Sequence, residues 1–540
     1  VVSVVWQPEL QTVTVDRHWP RLPVACEKLA AAAVTGDRET SIYVAGGMRQ
    51  NGEHSQDFFR LTVAHDATAA ERAALRWQRL PSWPGPGRVG ASLVAQHDGY
   101  STKIYLLGGK GDGQYLADVY RFNAATGSWS TVASMPRPAL LAPAAAVGPA
   151  HIFLFAGSDG HDVDRWQQLQ HDYHVTRELP AYHTITDSWR SAGEMPVGVA
   201  ATSVAAWQGG LVIPGGELRP SVRTPTVQFA TVSSQQGSFG VVNFGVMGLY
   251  LTLLMGIGLY FCGREKSADD FFLAGRRIPW WAAGLSLLAT QVSSIGFLAV
   301  PAKSFATNWT YFAGVLTWFL VVPIVTQVFI PFYRALNVTS AYEYLEARFN
   351  YPARAAAAAA FCLLQLGRMG IVLLLPALAL SAITGVDVIV CILVMGFGAT
   401  VYTVAGGMEA VVWTDVLQSI VLLGGAMACL AAVVLDTPGG AVAVWEQAAA
   451  DEKLQLVNWG YDPTQAVLWV ILVGNVLTRL SGLTSDQAVV QRYLTTDNAD
   501  SAKRALWLDV AVSIPWAMIV FAMATALYVF DKTNTDLLDP

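Results

Sequence analysis

Val241-Val-Asn-Phe-Gly-Val-Met-Gly-Leu-Tyr-Leu-Thr-Leu-Leu-Met-Gly-Ile-Gly-Leu-Tyr-Phe-Cys262 contains no charged side chain. A hydrocarbon core ~30 Å thick is crossed by about 20 apolar residues in a helix. The stretch is therefore long enough to span a bilayer, and it divides the chain into 1–235, rich in glycine and tryptophan markers, and 236–540, rich in apolar runs. Further runs lie at 282–301, 309–331, 355–383, 387–405, 411–434, 466–482 and 505–530. About eight transmembrane helices are expected in all. Charged residues make up 14 % of the chain, against ~25 % in ordinary soluble domains. That figure and the net charge of −6 average two unlike halves, so they say little about partners; no nucleic-acid partner is expected. Of the cysteines Cys26, Cys262, Cys362, Cys391 and Cys429, only Cys26 precedes residue 240, so the first half has no internal disulfide. Val1 opens on ordinary domain sequence without a signal peptide, and Pro540 follows closely on an apolar segment. The chain is expected to be cut from a longer protein at both ends.

Short β-rich runs in the first half end in glycine. They are Ile42-Tyr-Val-Ala-Gly-Gly47, Lys103-Ile-Tyr-Leu-Leu-Gly-Gly109, His151-Ile-Phe-Leu-Phe-Ala-Gly157 and Gly210-Leu-Val-Ile-Pro-Gly-Gly216. Aromatic markers stand between them: Gly127-Ser-Trp129 then Met135-Pro136, and Ser188-Trp189 then Met195-Pro196. A period of about 50 to 60 residues with paired glycines and a later tryptophan resembles the kelch repeat, in which each repeat is one propeller blade. Glycine suits crowded backbone, and the tryptophan is expected between neighbouring blades. The alternative is another antiparallel β architecture. About four blades are legible, so an all-β kelch propeller lacking an N-terminal part is expected.

Gly215-Gly-Glu217-Leu-Arg-Pro220-Ser-Val-Arg223-Thr224 resembles the loop of the N-acetylneuraminate epimerases, or sialic acid mutarotases, in a circularly permuted form. The resemblance makes Glu217 the acid/base and Arg223 the grip on the sugar carboxylate. Mutarotation of a 2-keto sugar acid needs a proton shuttled between anomeric hydroxyl and ring oxygen. A guanidinium can hold the carboxylate by two parallel hydrogen bonds. Equally, Glu217 and Arg223 could be loop charges paired with each other.

In the second half, Lys and Arg bias the short loops. Arg264, Lys266, Arg276 and Arg277, then Arg334, Arg348 and Arg354, then Arg492, Lys503 and Arg504 fall on one side; Lys303, Lys453 and Lys532 fall on the other. By the positive-inside tendency the basic loops are cytoplasmic and the propeller is extracytoplasmic. Ala289-Thr290-Gln291-Val292-Ser293-Ser294-Ile-Gly296 interrupts an apolar run. Such a stretch must face protein or a cavity. It reads either as the broken helix of a transporter with inverted repeats or as a packing seam of small residues. Arg368 lies ~20 Å along a helix that begins near Ala355, with Gln365 one turn earlier. An intramembrane arginine points to an anionic substrate by default, and otherwise to an internal salt bridge. Asp415, early in its run, reads as a cation ligand or as a helix-start carboxylate.

Asp269-Asp-Phe-Phe-Leu-Ala-Gly275-Arg-Arg-Ile-Pro-Trp-Trp281, Gly406-Gly-Met-Glu-Ala410-Val-Val-Trp-Thr-Asp415 and Asp486-Gln-Ala-Val-Val-Gln-Arg492 resemble the sodium/solute symporters. Within that family, Pro301-Ala-Lys-Ser-Phe-Ala-Thr-Asn-Trp309 and the Gln365/Arg368 helix resemble the sialic acid transporters. The resemblance implies an all-α, LeuT-like inverted-repeat fold with an extra leading helix, cut short at its C-terminal end. It implies Na⁺ as co-substrate, ligated by the carbonyls of Ala289 and Val292, with Asp415 at a second sodium position. Gln291, Ser293 and Ser294 would line the substrate site with Gln365, and Arg368 would hold the carboxylate. Gly296 stands where the relatives tend to carry a hydroxyl. The helix whose serines complete the sodium site would lie beyond Pro540.

Together these readings give a multi-pass protein of a plasma or bacterial inner membrane. Its membrane half would import sialic acid with Na⁺, and its periplasmic propeller would interconvert the anomers. The alternative is a symporter for another organic anion, with a propeller that only binds glycans or proteins.

Overall fold

The computed structural model describes residues 3–7, 12–16, 19–169, 172–231, 239–262, 267–292, 294–336, 340–463 and 465–537. It divides the chain into two compact units, Val1–Ser234 with Asn534–Pro540, and Gln235–Thr533.

The first unit is a propeller-like series of antiparallel sheets. Blade 1 comprises Ala30–Thr35, Glu39–Ala45, Phe58–Ala64 and Gln78–Leu80. Blade 2 comprises Ser92–His97, Thr102–Leu107, Val119–Asn123 and Ser128–Val132. Blade 3 comprises Ala144–Val147, His151–Leu154, Glu178–His183 and Ser188–Glu194. Among the described residues blade 4 comprises Ala205–Trp207, Gly210–Pro214 and Val227–Ala230. In each blade the strands pair in the order in which they occur.

Alternation along a strand explains how the blades stack. On Thr102–Leu107, Ile104 and Leu106 join Tyr43 and Phe58 of blade 1 in one apolar core. Tyr105 and Leu107 join Ile152, Leu154 and Tyr182 of blade 3 in another. The tryptophans act as expected: Trp129 donates to the Pro81 carbonyl at 2.8 Å and Trp189 to that of Ala133 at 2.9 Å, each reaching back to the preceding repeat.

The glycine pairs stitch each blade to the entry of the next. Gly47 N–H donates to Arg88 O at 2.9 Å, Gly109 N–H to Ala139 O at 2.8 Å and Gly157 N–H to Val199 O at 3.0 Å. Gly46, Gly108 and Gly215 have φ of 67°, 58° and 60°, a region that L-residues other than glycine enter at a cost. In the third repeat Ala156 takes that place at φ 62°.

The second unit is helical. Val241–Cys262, Thr310–Leu336, Tyr351–Thr384, Val388–Asp436, Leu468–Ser485 and Ala499–Thr533 are each long and apolar enough to cross a membrane. Val388–Asp436 has 49 residues, ~73 Å at 1.5 Å each, more than twice the thickness of a ~30 Å hydrocarbon core. Gly407, at φ 55° and ψ −156°, breaks it into two crossing lengths. A Cβ on the preceding Gly406 would stand 2.6 Å from Gly258 O, so the leading helix packs directly against this break. Trp280–Gln291 and Gly296–Ala306 are long and apolar enough only when taken together, and they are inclined to each other by 57°.

Candidate functional sites

In the propeller, Glu217–Arg219 and Val222–Arg223 form a two-stranded hairpin that turns at Pro220 and Ser221, the latter at φ 66°. Glu217 stands directly opposite Arg223 in its register. Arg223 Nε lies 3.8 Å from Glu217 Oε1, with side-chain exposures of 78 % and 26 %. The backbone of Glu217 is tied to Ala200 by hydrogen bonds in both directions, at 3.0 and 2.8 Å. The acid is thus fixed at the base of the hairpin. Its guanidinium partner is largely in solvent, within reach of both Glu217 and any incoming anion.

In the helical unit, Trp280–Gln291 ends where Val292 leaves helical geometry at φ −80° and ψ 102°. A second helix, Ser294–Ala306, then departs at the bend. The last carbonyls of a helix have no intrahelical partner, and Ala289 and Val292 sit at that end. Ser293 and the side chain of Ser294 lie outside the described residues.

Gln291 Nε2 donates to Asp509 Oδ2 at 2.7 Å, and Ser513 Oγ donates to Asp509 Oδ1 at 3.2 Å. Asp509 is wholly buried. Burying a carboxylate is costly unless donors surround it, so this cluster ties the helix break to Ala499–Thr533. The same broken helix carries Ser286, whose Oγ donates to Asp415 Oδ2 at 2.6 Å. Asp415 lies inside Val388–Asp436, beyond the Gly407 break, and its counter-charge is the guanidinium of Arg492, 3.0 Å away. Arg368 Nη1 is 3.4 Å from Asp486 Oδ2. Asp486 is also the N-cap of Gln487–Leu494. Gln365 is half-buried on the same helix as Arg368. The structure therefore pairs Arg368 and Asp415 with protein charges and joins Gln291 to Asp509.

The description "Sodium:solute symporter family" matches residues 271–535. The helical unit belongs to the sodium:solute symporter family. The symporter unit is 37 % identical over 305 residues to the sodium/sialic acid symporter SiaT of Proteus mirabilis, covering 56 % of this chain and 62 % of that protein. It is 38 % identical over 302 residues to the sodium/sialic acid symporter NanT of Aliivibrio fischeri, covering 56 % of this chain and 60 % of that protein. A solved structure described as a substrate-bound, outward-open Na⁺-coupled sialic acid symporter aligns with TM-score 0.54 at 37 % identity, over 56 % of this chain and 63 % of that one. The chain spans about three fifths of the length of these curated relatives. In the propeller a kelch motif matches residues 100–136.

Two charges of the symporter unit escaped the reading of the sequence. Asp509 lies in the apolar run 505–530. Arg479 lies in 466–482, its guanidinium 4.0 Å from the ring centre of Trp318. The rule that singled out Arg368, an ionisable residue inside a spanning segment, applies equally to both.

Proposed function

We propose that the symporter unit imports a sialic-acid-like sugar acid together with Na⁺, and that the propeller, on the extracytoplasmic side, interconverts the anomers of that acid. The observation that carries the first part is the 37–38 % identity to two sodium/sialic acid symporters, on a chain whose broken helix presents Gln291 beside buried Asp509. Unpaired carbonyls at a helix end are hard oxygen donors suited to Na⁺, so Ala289 and Val292 are its proposed ligands. Gln291, Ser293, Ser294 and Gln365 line the proposed sugar site. Arg368 meets the carboxylate there, exchanging Asp486 for substrate. Asp415 serves a second Na⁺ only in a state in which Arg492 has withdrawn.

Uptake of labelled N-acetylneuraminate into proteoliposomes tests this reading. A Na⁺ gradient should drive accumulation, and Gln291→Ala should slow it at least about tenfold, the cost of stranding a charged hydrogen-bond acceptor. Equal uptake under K⁺ would overturn the sodium coupling.

Mutarotation rests on Glu217 standing within 3.8 Å of Arg223. In NMR exchange of freshly dissolved N-acetylneuraminate, Glu217→Gln should lower the rate by about 10²-fold or more, as for loss of a general acid/base. Unchanged exchange would favour the second reading, a glycan- or protein-binding propeller in which the Glu217–Arg223 pair is only a hairpin ion pair.

A further inference from the structure

A cavity of about 490 Å³ opens in the propeller, lined by the Glu217 hairpin and by the segments flanking the two outer strands of blade 3. Its walls are apolar at Val175, Val197 and Val222, and its polar groups include Arg177, Arg219 and His174; among the described residues no Asp or Glu lines it. Neither Glu217 nor Arg223 belongs to its lining. The volume falls in the range of small-ligand pockets.

The two arginines differ. Arg177 is engaged: its Nε donates to Met195 O at 2.7 Å, and its Nη2 is 3.7 Å from Glu194. Arg219 is half-buried on the hairpin, and among the described residues its side chain has neither an ion pair nor a hydrogen bond. A partly desolvated guanidinium without a counter-charge attracts an anion, and its planar fork fits a carboxylate by two parallel bonds. One unpaired cation among valine side chains matches one negative charge on a body with apolar faces, rather than a compact multivalent anion.

We infer that this cavity is a binding site for a small monocarboxylate, with Arg219 as its anchor, separate from the Glu217–Arg223 pair. Taking N-acetylneuraminate as the probe rests on the function proposed above; the site itself rests on the cavity and Arg219.

The test is equilibrium binding of labelled N-acetylneuraminate in Na⁺-free potassium buffer, where the sodium-dependent site is silent, to the full chain in nanodiscs carrying Arg223→Gln, which removes the carboxylate grip of the Glu217–Arg223 pair. This reference chain should bind, and adding Arg219→Gln should weaken binding at least tenfold. Arg219→Lys should recover part of it, and Val222→Trp, which fills the cavity while keeping the charge, should also abolish it. In the otherwise wild-type chain Glu217→Gln should slow anomer exchange, and added to the Arg223→Gln reference chain it should leave this cavity binding unchanged. Failure of the mutarotase reading alone would appear as unchanged exchange with binding intact. Binding by the reference chain that survives both Arg219→Gln and Val222→Trp, or absence of binding by the reference chain, would overturn the inference. So would displacement of the probe by inorganic phosphate as effectively as by a simple carboxylate. Loss of probe binding in Glu217→Gln would overturn the separation of the two sites.

Discussion

Arg492 Nη2 lies 3.0 Å from Asp415 Oδ2, and Ser286 Oγ closes the triangle, donating to that oxygen at 2.6 Å and accepting from Arg492 Nε at 2.9 Å. The contact joins the first half of the broken helix, the segment after the Gly407 break and the short helix Gln487–Leu494. The Arg492 and Asp415 side chains are 11 % and 13 % exposed.

Removing one partner from a buried pair leaves an uncompensated charge, at a cost of about 3–5 kcal/mol. Asp415→Asn should therefore lower the unfolding temperature in detergent sharply. The double variant Asp415→Asn/Arg492→Gln should recover much of the loss. Equal unfolding temperatures for the single variant and the wild type would mean that the triangle contributes nothing to stability.

On the proposed reading Arg368 meets the substrate carboxylate in competition with Asp486, whose Oδ2 is 3.4 Å from its Nη1. Arg368→Gln should weaken Na⁺-dependent binding of N-acetylneuraminate at least about tenfold, as for a charged hydrogen-bonded contact. Asp486→Asn removes the competitor and should keep or tighten that binding. Parallel losses in the two variants, measured by equilibrium dialysis, would assign Arg368 a structural role instead.

Two glycines of blade 2 separate strain from crowding. Gly108 and Gly127 both have positive φ, at 58° and 67°. A Cβ on Gly127 meets open space, whereas one on Gly108 collides with the carbonyl oxygen of Ala139. That carbonyl is held by Gly109 N–H at 2.8 Å, so it cannot retreat without loosening the stitch between blades. Gly127→Ala should cost about 1–2 kcal/mol, the price of a left-handed L-residue. Gly108→Ala should cost clearly more in denaturant titration; equal costs would show that the stitch yields freely.

Asp57 is buried, which raises its pKa. Hydrogen bonds from Arg49 and Ser55, with the charges of Arg49 and Arg79, outweigh that burial and hold it below the ordinary carboxylate value. A depressed folded-state pKa stabilises the fold above the unfolded value of about 3.9, and that contribution is lost as pH falls through the folded-state value. Asp57→Asn should be less stable than the wild type at neutral pH, and the gap should close in acid. A gap in unfolding temperature that persists undiminished at low pH would contradict this electrostatic account.

The repeats were legible because blade geometry imposes local demands. A positive-φ junction calls for glycine, and an inter-blade ring calls for tryptophan. The third repeat was the faintest because Ala156 occupies the left-handed position there. The membrane crossings were legible because a helix in lipid needs an unbroken apolar run, and the short interval between 387–405 and 411–434 marked the break that Gly407 makes. Glu217 and Arg223 were visible as a spacing, but that spacing served a catalytic pair and an ion pair equally. The hairpin register puts them face to face, and it leaves Arg219 with no charge opposite it.

From the sequence alone came the two-unit character of the chain, its repeating blades, its apolar crossings and the interruption around Gln291. Each of these is written in residues close to one another, through strand alternation, glycine at a turn or the length of an apolar run. The partners of the buried charges were decided only by tertiary structure. Asp415 meets Arg492 across 77 positions and Gln291 meets Asp509 across 218. A charge in an apolar segment must find a counter-charge or donors. Several candidates satisfy that need in the sequence, and only the packing of the helices brings one of them within 3 Å.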